Sequence, residues 1–238
     1  MASATFSIEG ASSALRDLGF YYEKDPAVGD HALEMRGTGF LSRDGLRFCK
    51  RNILDDGRIR STLEFFFPWC GLARYRRIAS DPGHIFQIRG GGKRAGLRVL
   101  AVFLWEAGSE VVYYGRSPQH ALPGVKASNG LWEVPFAALE QAGCSEGSII
   151  SFEHGGLSIQ DARIAFEPRK GGPIASVFAT EDVLRGWTRM KLANTAEIVQ
   201  QVAEMRSSKI GLYIEHEATN GQPAATESVA SPPDFQST

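Results

Sequence analysis

The strongest constraint on the fold of this chain is how often its hydrophobic pattern is interrupted. Asp44-Gly45, Asp56-Gly57, Asp81-Pro82-Gly83, Gly90-Gly91-Gly92, Ala107-Gly108-Ser109 and His154-Gly155-Gly156 are turn signals, and they follow one another through the first two thirds of the sequence. The segments between them alternate apolar and polar residues. Leu33 and Met35 alternate with Glu34 and Arg36, and Leu46 and Phe48 with Arg47 and Cys49. Ile59, Ser61, Leu63, Phe65 and Phe67 fall on one face of an extended segment, opposite Arg58, Arg60, Thr62 and Glu64. A period of two over short runs predicts half-buried strands. Leu72–Ile78, His84–Arg89, Leu97–Trp105, Val111–Tyr114, Leu131–Phe136, Ile149–Phe152 and Ile159–Phe166 continue the series.

Short strands with frequent turns predict a mostly β protein, an antiparallel jelly-roll β-sandwich. Its core is expected at residues 32–168, with a short C-terminal helical appendage and strand at 180–216. In that appendage Asn194 reads as an N-cap, Ile198, Val202 and Met205 form an apolar stripe, and Ile210–Ile214 reads as a strand. Residues 1–216 are thus expected to form one domain. Residues 217–238, rich in Thr, Ser, Pro and Ala, are expected to be a disordered tail.

Lys and Arg total 26 against 27 Asp and Glu, so no global field draws the chain to nucleic acid or membrane. Cys49, Cys70 and Cys144 have no metal-site spacing and read as buried reduced thiols. The segment Met1–Glu9 does not read as a secretory leader, and the longest apolar run, Val99–Trp105, is too short to span a bilayer. A cytoplasmic location is expected.

Several groups could carry chemistry. Gly90-Gly91-Gly92-Lys93-Arg94-Ala95 fits the loose dinucleotide fingerprint G-x-G-x-x-A, and residues 84–117 have the length of a βαβ unit that would bind NADP. A glycine-rich turn between two strands is the simpler reading. Basic residues bunch at Arg74, Arg76 and Arg77 and again at Arg89, Lys93, Arg94 and Arg98. If the two clusters meet, they form an anion-binding strip. Glu153, His154 and Asp161 are the candidate acid/base residues. Trp69, Tyr75, Tyr113, Tyr114 and Trp132 are candidate aromatic platforms, with core packing the favoured reading for Trp132. No local spacing supports a metal site, and no cofactor is expected.

Asp55-Asp56-Gly57-Arg58-Ile59 followed by Leu63-Glu64-Phe65-Phe66-Phe67 resembles an early strand pair of concanavalin A-like, lectin-type jelly rolls. Gly130–Phe136 and Ser158–Ile164 are similar to the closing strands of galactose-binding-like modules. The resemblance implies glycan binding. Together these readings predict a non-catalytic binding or interaction module for a carbohydrate or macromolecular partner, met through Trp69, Arg74, Tyr75, Arg76, Arg89 and Tyr114. A small-molecule, glycan or protein partner is expected, with homo-oligomerisation left open. The alternative is an enzyme: an isomerase or cyclase using Glu153, His154 and Asp161, or an NADP-dependent oxidoreductase.

Overall fold

A computed structural model describes residues 6–217. The expected tail therefore lies, apart from Glu217, outside the described residues. The N-terminal segment contains α1 (Ile8–Asp17), β1 (Phe20–Lys24), α2 (Pro26–Glu34), α3 (Arg43–Cys49), a π-helical turn at Lys50–Leu54, and α4 (Gly57–Phe66). Next come β2 (Cys70–Arg77), β3 (Phe86–Gln87), the single-turn α5 (Gly92–Ala95), β4 (Val99–Trp105), β5 (Ser109–Tyr114), β6 (Val125–Lys126) and β7 (Trp132–Glu133). The remainder is α6 (Phe136–Gln141), β8 (Gly147–Phe152), β9 (Gly156–Asp161), β10 (Ala165–Lys170), β11 (Ile174–Ala179), α7 (Glu181–Leu184), β12 (Met190–Leu192), α8 (Ala196–Met205), β13 (Ile210–Leu212) and β14 (Ile214–His216).

Two six-stranded sheets face each other. The first has the order β1-β9-β4-β11-β2-β13 and the second β6-β7-β3-β10-β5-β8, with β12 and β14 as a separate pair. All pairings within the two large sheets are antiparallel except β13 on β2. Alternation along the strands then separates three apolar zones. Phe86, Phe103, Trp105, Tyr113, Phe152 and Phe166 fill the space between the sheets. Leu72, Tyr75, Leu100 and Ile159 on the other face of the first sheet pack under the N-terminal helices and α8. Tyr114 and Val112 on the outer face of the second sheet pack under α6. Among the described residues no helix is long and apolar enough to cross a membrane.

A β-sandwich of jelly-roll type is therefore present, but the chain is a mixture of helix and strand rather than mostly β. The lectin-like resemblance is not supported, because the residues that carried it, 55–67, form α4 and the turn before it. The error has a physical source. Positions 59 and 63 share parity on a strand and also lie four apart on one helix face, so the apolar pattern fits both periods. Capping decides between them. The Asp56 carboxylate accepts hydrogen bonds from the backbone N–H groups of Arg58 and Ile59, at 2.9 and 3.2 Å, so Asp56-Gly57 starts a helix rather than turning a hairpin. Ser42 does the same for α3 through the N–H of Gly45, at 3.2 Å. Asp25 caps α2, whose first residue is Pro26, where residues 33–36 had been expected as a strand. In the C-terminal helix the cap is Thr195, one residue past the expected Asn194, and Ile198, Val202 and Met205 are buried as the stripe implied.

Asp56 has a second task. Arg58 lies amid Glu23, Asp25 and Asp56, with nitrogen–oxygen distances of 2.8, 2.9 and 2.7 Å. Burial opposes its charge, and the surrounding carboxylates more than offset this, raising its pKa. This cage fastens α4 to β1 and to the start of α2. Asp56→Ala should lower unfolding free energy by about 1–2 kcal/mol, and Asp56→Asn, which keeps a capping oxygen, by less. Urea denaturation of the two variants separates the cap from the ion pair.

Candidate functional site

The site begins with an irregularity in β2. Val177 of β11 pairs with Arg74 and the next residue, Phe178, pairs with Leu72, so Ala73 is an extra residue in the strand. Before the bulge, Cys70 and Leu72 face the helical layer; beyond it Tyr75 faces that way instead. Arg74 and Arg76 are thereby turned to the other side, where they line a cavity with Ile78 and with Ala175 and Val177 of β11.

This cavity has a volume of about 480 Å³. Arg89 enters it from the end of β3, Lys126 and Trp132 from β6 and β7, and Trp187 and Thr188 from the loop after α7. No acidic side chain lines it. Arg74 donates to the carbonyls of Ala73 and Thr188, at 2.7 and 2.6 Å, and its guanidinium lies 5.4 Å from the Trp187 ring centre. Arg76 has no hydrogen bond or ion pair among the described residues, and the buried Nη1 of Arg89 likewise has no partner. Burial holds all three arginines below their ordinary pKa, helped at Arg76 by Arg74 and at Arg89 by Arg98 and Arg163. They remain cations at any physiological pH. Three half-buried guanidiniums in a cavity whose lining has no carboxylate create a positive potential directed into a concave space.

The rim is held by the turn after β9. Arg163 pairs with Asp161 at 2.6 Å and donates to the Gly92 carbonyl. Gln87 donates through Nε2 to the Arg163 carbonyl, and the Arg89 N–H donates to the Ala162 carbonyl at 2.8 Å. These contacts fix β3 and the glycine-rich turn beside the cavity. The turn is not a dinucleotide loop: β3 and β4 lie in different sheets, so residues 84–117 form no βαβ unit.

Of the expected ligand-binding residues, Arg74, Arg76 and Arg89 converge and the aromatics do not. Tyr75 is 4% exposed and packs on the helical side, with its hydroxyl near Met35 and its ring edge-on to Phe40. Tyr114 is 5% exposed and packs against Phe136 beneath α6. Trp69 is half-buried and lies over the backbone of Gly71 and Gly211. The aromatics that reach the cavity are Trp187 and Trp132, the latter 39% exposed and covered on its ring by the Lys126 ammonium at 5.2 Å. The alternating run of Trp132 with Leu131 and Val134 made it look like core. The acid/base candidates are also separated. Glu153 and His154 are exposed in the β8–β9 turn, whereas Asp161 is buried at the far end of β9 against Arg163. That β8–β9 turn presses on α2 so closely that a Cβ on Gly29 would lie 2.3 Å from the His154 carbonyl oxygen. The three cysteines are buried and free, with burial, helped by Glu64, pushing the Cys70 thiol up to about 12.

No family model and no curated protein matches this chain. Among solved structures it is similar to HygX from Streptomyces hygroscopicus with iron bound, at 13% identity over 87% of this chain and 96% of that one, TM-score 0.48. It is also similar to EctD from S. alaskensis with 2-oxoglutarate and 5-hydroxyectoine (10%, covering 75% and 78%, TM-score 0.46) and to the non-heme monooxygenase ThoJ in its apo form (12%, covering 71% and 77%, TM-score 0.42). The expectation of a non-catalytic module for a glycan or a protein partner is corrected here. Of the three aromatics expected to meet the ligand, Tyr75 and Tyr114 are buried and Trp69 is half-buried over the backbone of Gly71 and Gly211, so no aromatic face is presented there. At this distance the chemistry must come from the chain's own residues.

Those residues do not fit a resident iron. A mononuclear site needs two imidazoles and a carboxylate on one face of the metal. Among the described residues no three His, Cys, Asp or Glu side chains converge. All five histidines lie in the described part, on α2, before β3, after Gln119, in the β8–β9 turn and on β14. The space between the sheets is occupied by aromatic side chains.

Removing a desolvated, unpaired cation should stabilise the empty protein. Arg76→Met should raise Tm by about 2–4 °C, a gain on the order of 1 kcal/mol, in a thermal melt without ligand.

Proposed function

We propose that the chain is an enzyme on a β-sandwich whose substrate is a small molecule bearing one or more acidic groups, held in the arginine-lined cavity. The carrying observation is the convergence of Arg74, Arg76 and Arg89 on one concavity whose lining contains no acidic side chain. Half-buried cations without an ion-pair partner weaken a fold, and their grouping in a cleft supports a site that an anion completes. The shape supports a small substrate over a macromolecular surface, because about 480 Å³ is the volume of an ordinary small-molecule site.

The chemistry available from the cavity walls is electrostatic. Arg76 and Arg89 would bind and orient the acidic group, and the arginines with Lys126 would stabilise negative charge that develops on it. Thr188 adds a hydroxyl to the wall. Trp132 and Trp187 limit water at the two sides.

Thermal-shift titration with inorganic phosphate, pyrophosphate, succinate and glutarate tests the site. A ligand at 100 times its Kd should stabilise the protein by about 2.7 kcal/mol, or roughly 5–10 °C. Arg76→Gln and Arg89→Gln should each abolish most of that shift. Catalysis is then sought by mass spectrometry of organic acids and phosphate esters incubated with the protein, with turnover lost in the same variants. No shift with any anion would overturn the reading.

A further inference from the structure

The arginine cavity does not end at Arg89. A second compartment of about 380 Å³ lies beyond it, lined by Gln87, Gly90, Leu122 and Gly124, and Arg89 and Trp132 belong to the walls of both. The two compartments differ in chemistry. The first carries Arg74, Arg76 and Lys126; apart from the shared Arg89, the second carries no charge. Its polar side chain is Gln87, whose Nε2 is committed to the Arg163 carbonyl. With Nε2 fixed as the donor, Oε1 is left as an acceptor with no donor among the described residues. Gly90 and Gly124 leave the remaining wall open to a flat group, and the Trp132 indole forms the side shared with the basic compartment.

We propose that the substrate is bipartite and nucleotide-like: an acidic group in the basic compartment joined to a planar ring in the second. The ring packs against Trp132 and donates a hydrogen bond, as an exocyclic amine does, to Oε1 of Gln87. This rests on the anion site of the preceding subsection and adds the class of the rest of the molecule. Stacking on an aromatic side chain is the larger part of the added affinity, and the amide acceptor selects rings that carry a donor.

Gly90 provides a specific test. Its φ is not in the left-handed region, and a Cβ there would meet no heavy atom within 4 Å, so a side chain can be added without backbone strain. Isothermal titration is run with inorganic phosphate, adenosine and adenosine 5′-monophosphate on the full chain, with succinate as the carboxylate control. The monophosphate should bind on the order of 10-fold tighter than phosphate and quench tryptophan fluorescence. Gly90→Leu should bring it to the affinity of phosphate while leaving phosphate unchanged. Trp132→Leu, a partly exposed position, should produce a similar loss and remove the quenching. Arg76→Gln should weaken both phosphate and the monophosphate.

A monophosphate that binds no tighter than phosphate, or a Gly90→Leu variant that weakens both equally, overturns the bipartite form. Binding of succinate with no binding of the monophosphate also overturns it, and leaves the anion site standing. Failure of all the anions overturns the anion site itself.

Discussion

The extra residue at Ala73 determines which side of the first sheet carries charge. Without it, residues 74 and 76 would continue the face of Cys70 and Leu72 and would meet the apolar helical layer. A guanidinium there would meet the apolar surroundings that now hold Tyr75 against Met35 and Phe40. With it, the strand changes face in one step: Tyr75 takes the apolar side and the two arginines open into the sandwich mouth. The bulge thus reconciles two demands on one strand, a packed outer face at its start and a charged inner face at its end.

The mouth is shaped as much by backbone as by side chains. The Asp161–Arg163 pair is buried and would be a poor source of stability alone, but it gives Arg163 a fixed position from which it holds the Gly92 carbonyl. The Gln87 amide and the Arg89 N–H attach to the same three-residue turn. Three connections from one turn therefore position the segment that supplies Arg89, Gln87 and Gly90. An arginine without a counter-ion needs such support, since nothing else fixes where its charge points.

Legibility in the sequence followed the uniqueness of each pattern. The stretch Val99–Trp105 is apolar on both faces, as a buried strand is, and forms β4 between β9 and β11, although Leu97, Leu100, Ala101 and Leu104 also fit the helical spacing that the βαβ reading required. The stripe in α8 fits a helix alone. By contrast α3 and α4 have apolar spacings compatible with either period, and Asp-Gly served as a helix start where a hairpin turn was expected. The convergence of Arg74 and Arg76 with Arg89 could be suspected from the two basic clusters, although the side they face depends on a bulge that leaves no mark in composition. Trp132 was hidden because Leu131 and Val134 beside it are truly buried. Gln87 had appeared only as an interruption of an apolar strand; a polar residue at a strand position otherwise expected to be buried was the available signal for the second compartment.

The strand order of the first sheet has a consequence for how the protein is made. β1 at residues 20–24 pairs with β9 at 156–161, and β2 pairs with β11 and with β13. Each of these contacts closes a long loop, a topology that slows folding. During synthesis the first strand must leave the ribosome and wait, with its aromatic Phe20-Tyr21-Tyr22 run unpaired, until the ninth has been added. In the finished fold Tyr21 of this run faces the helical layer, whereas Phe20 stacks on Tyr113 and Tyr22 meets Phe152 of the second sheet. The first strand therefore stays sticky on both faces until the late strands arrive, which makes the nascent chain more prone to association than the finished protein.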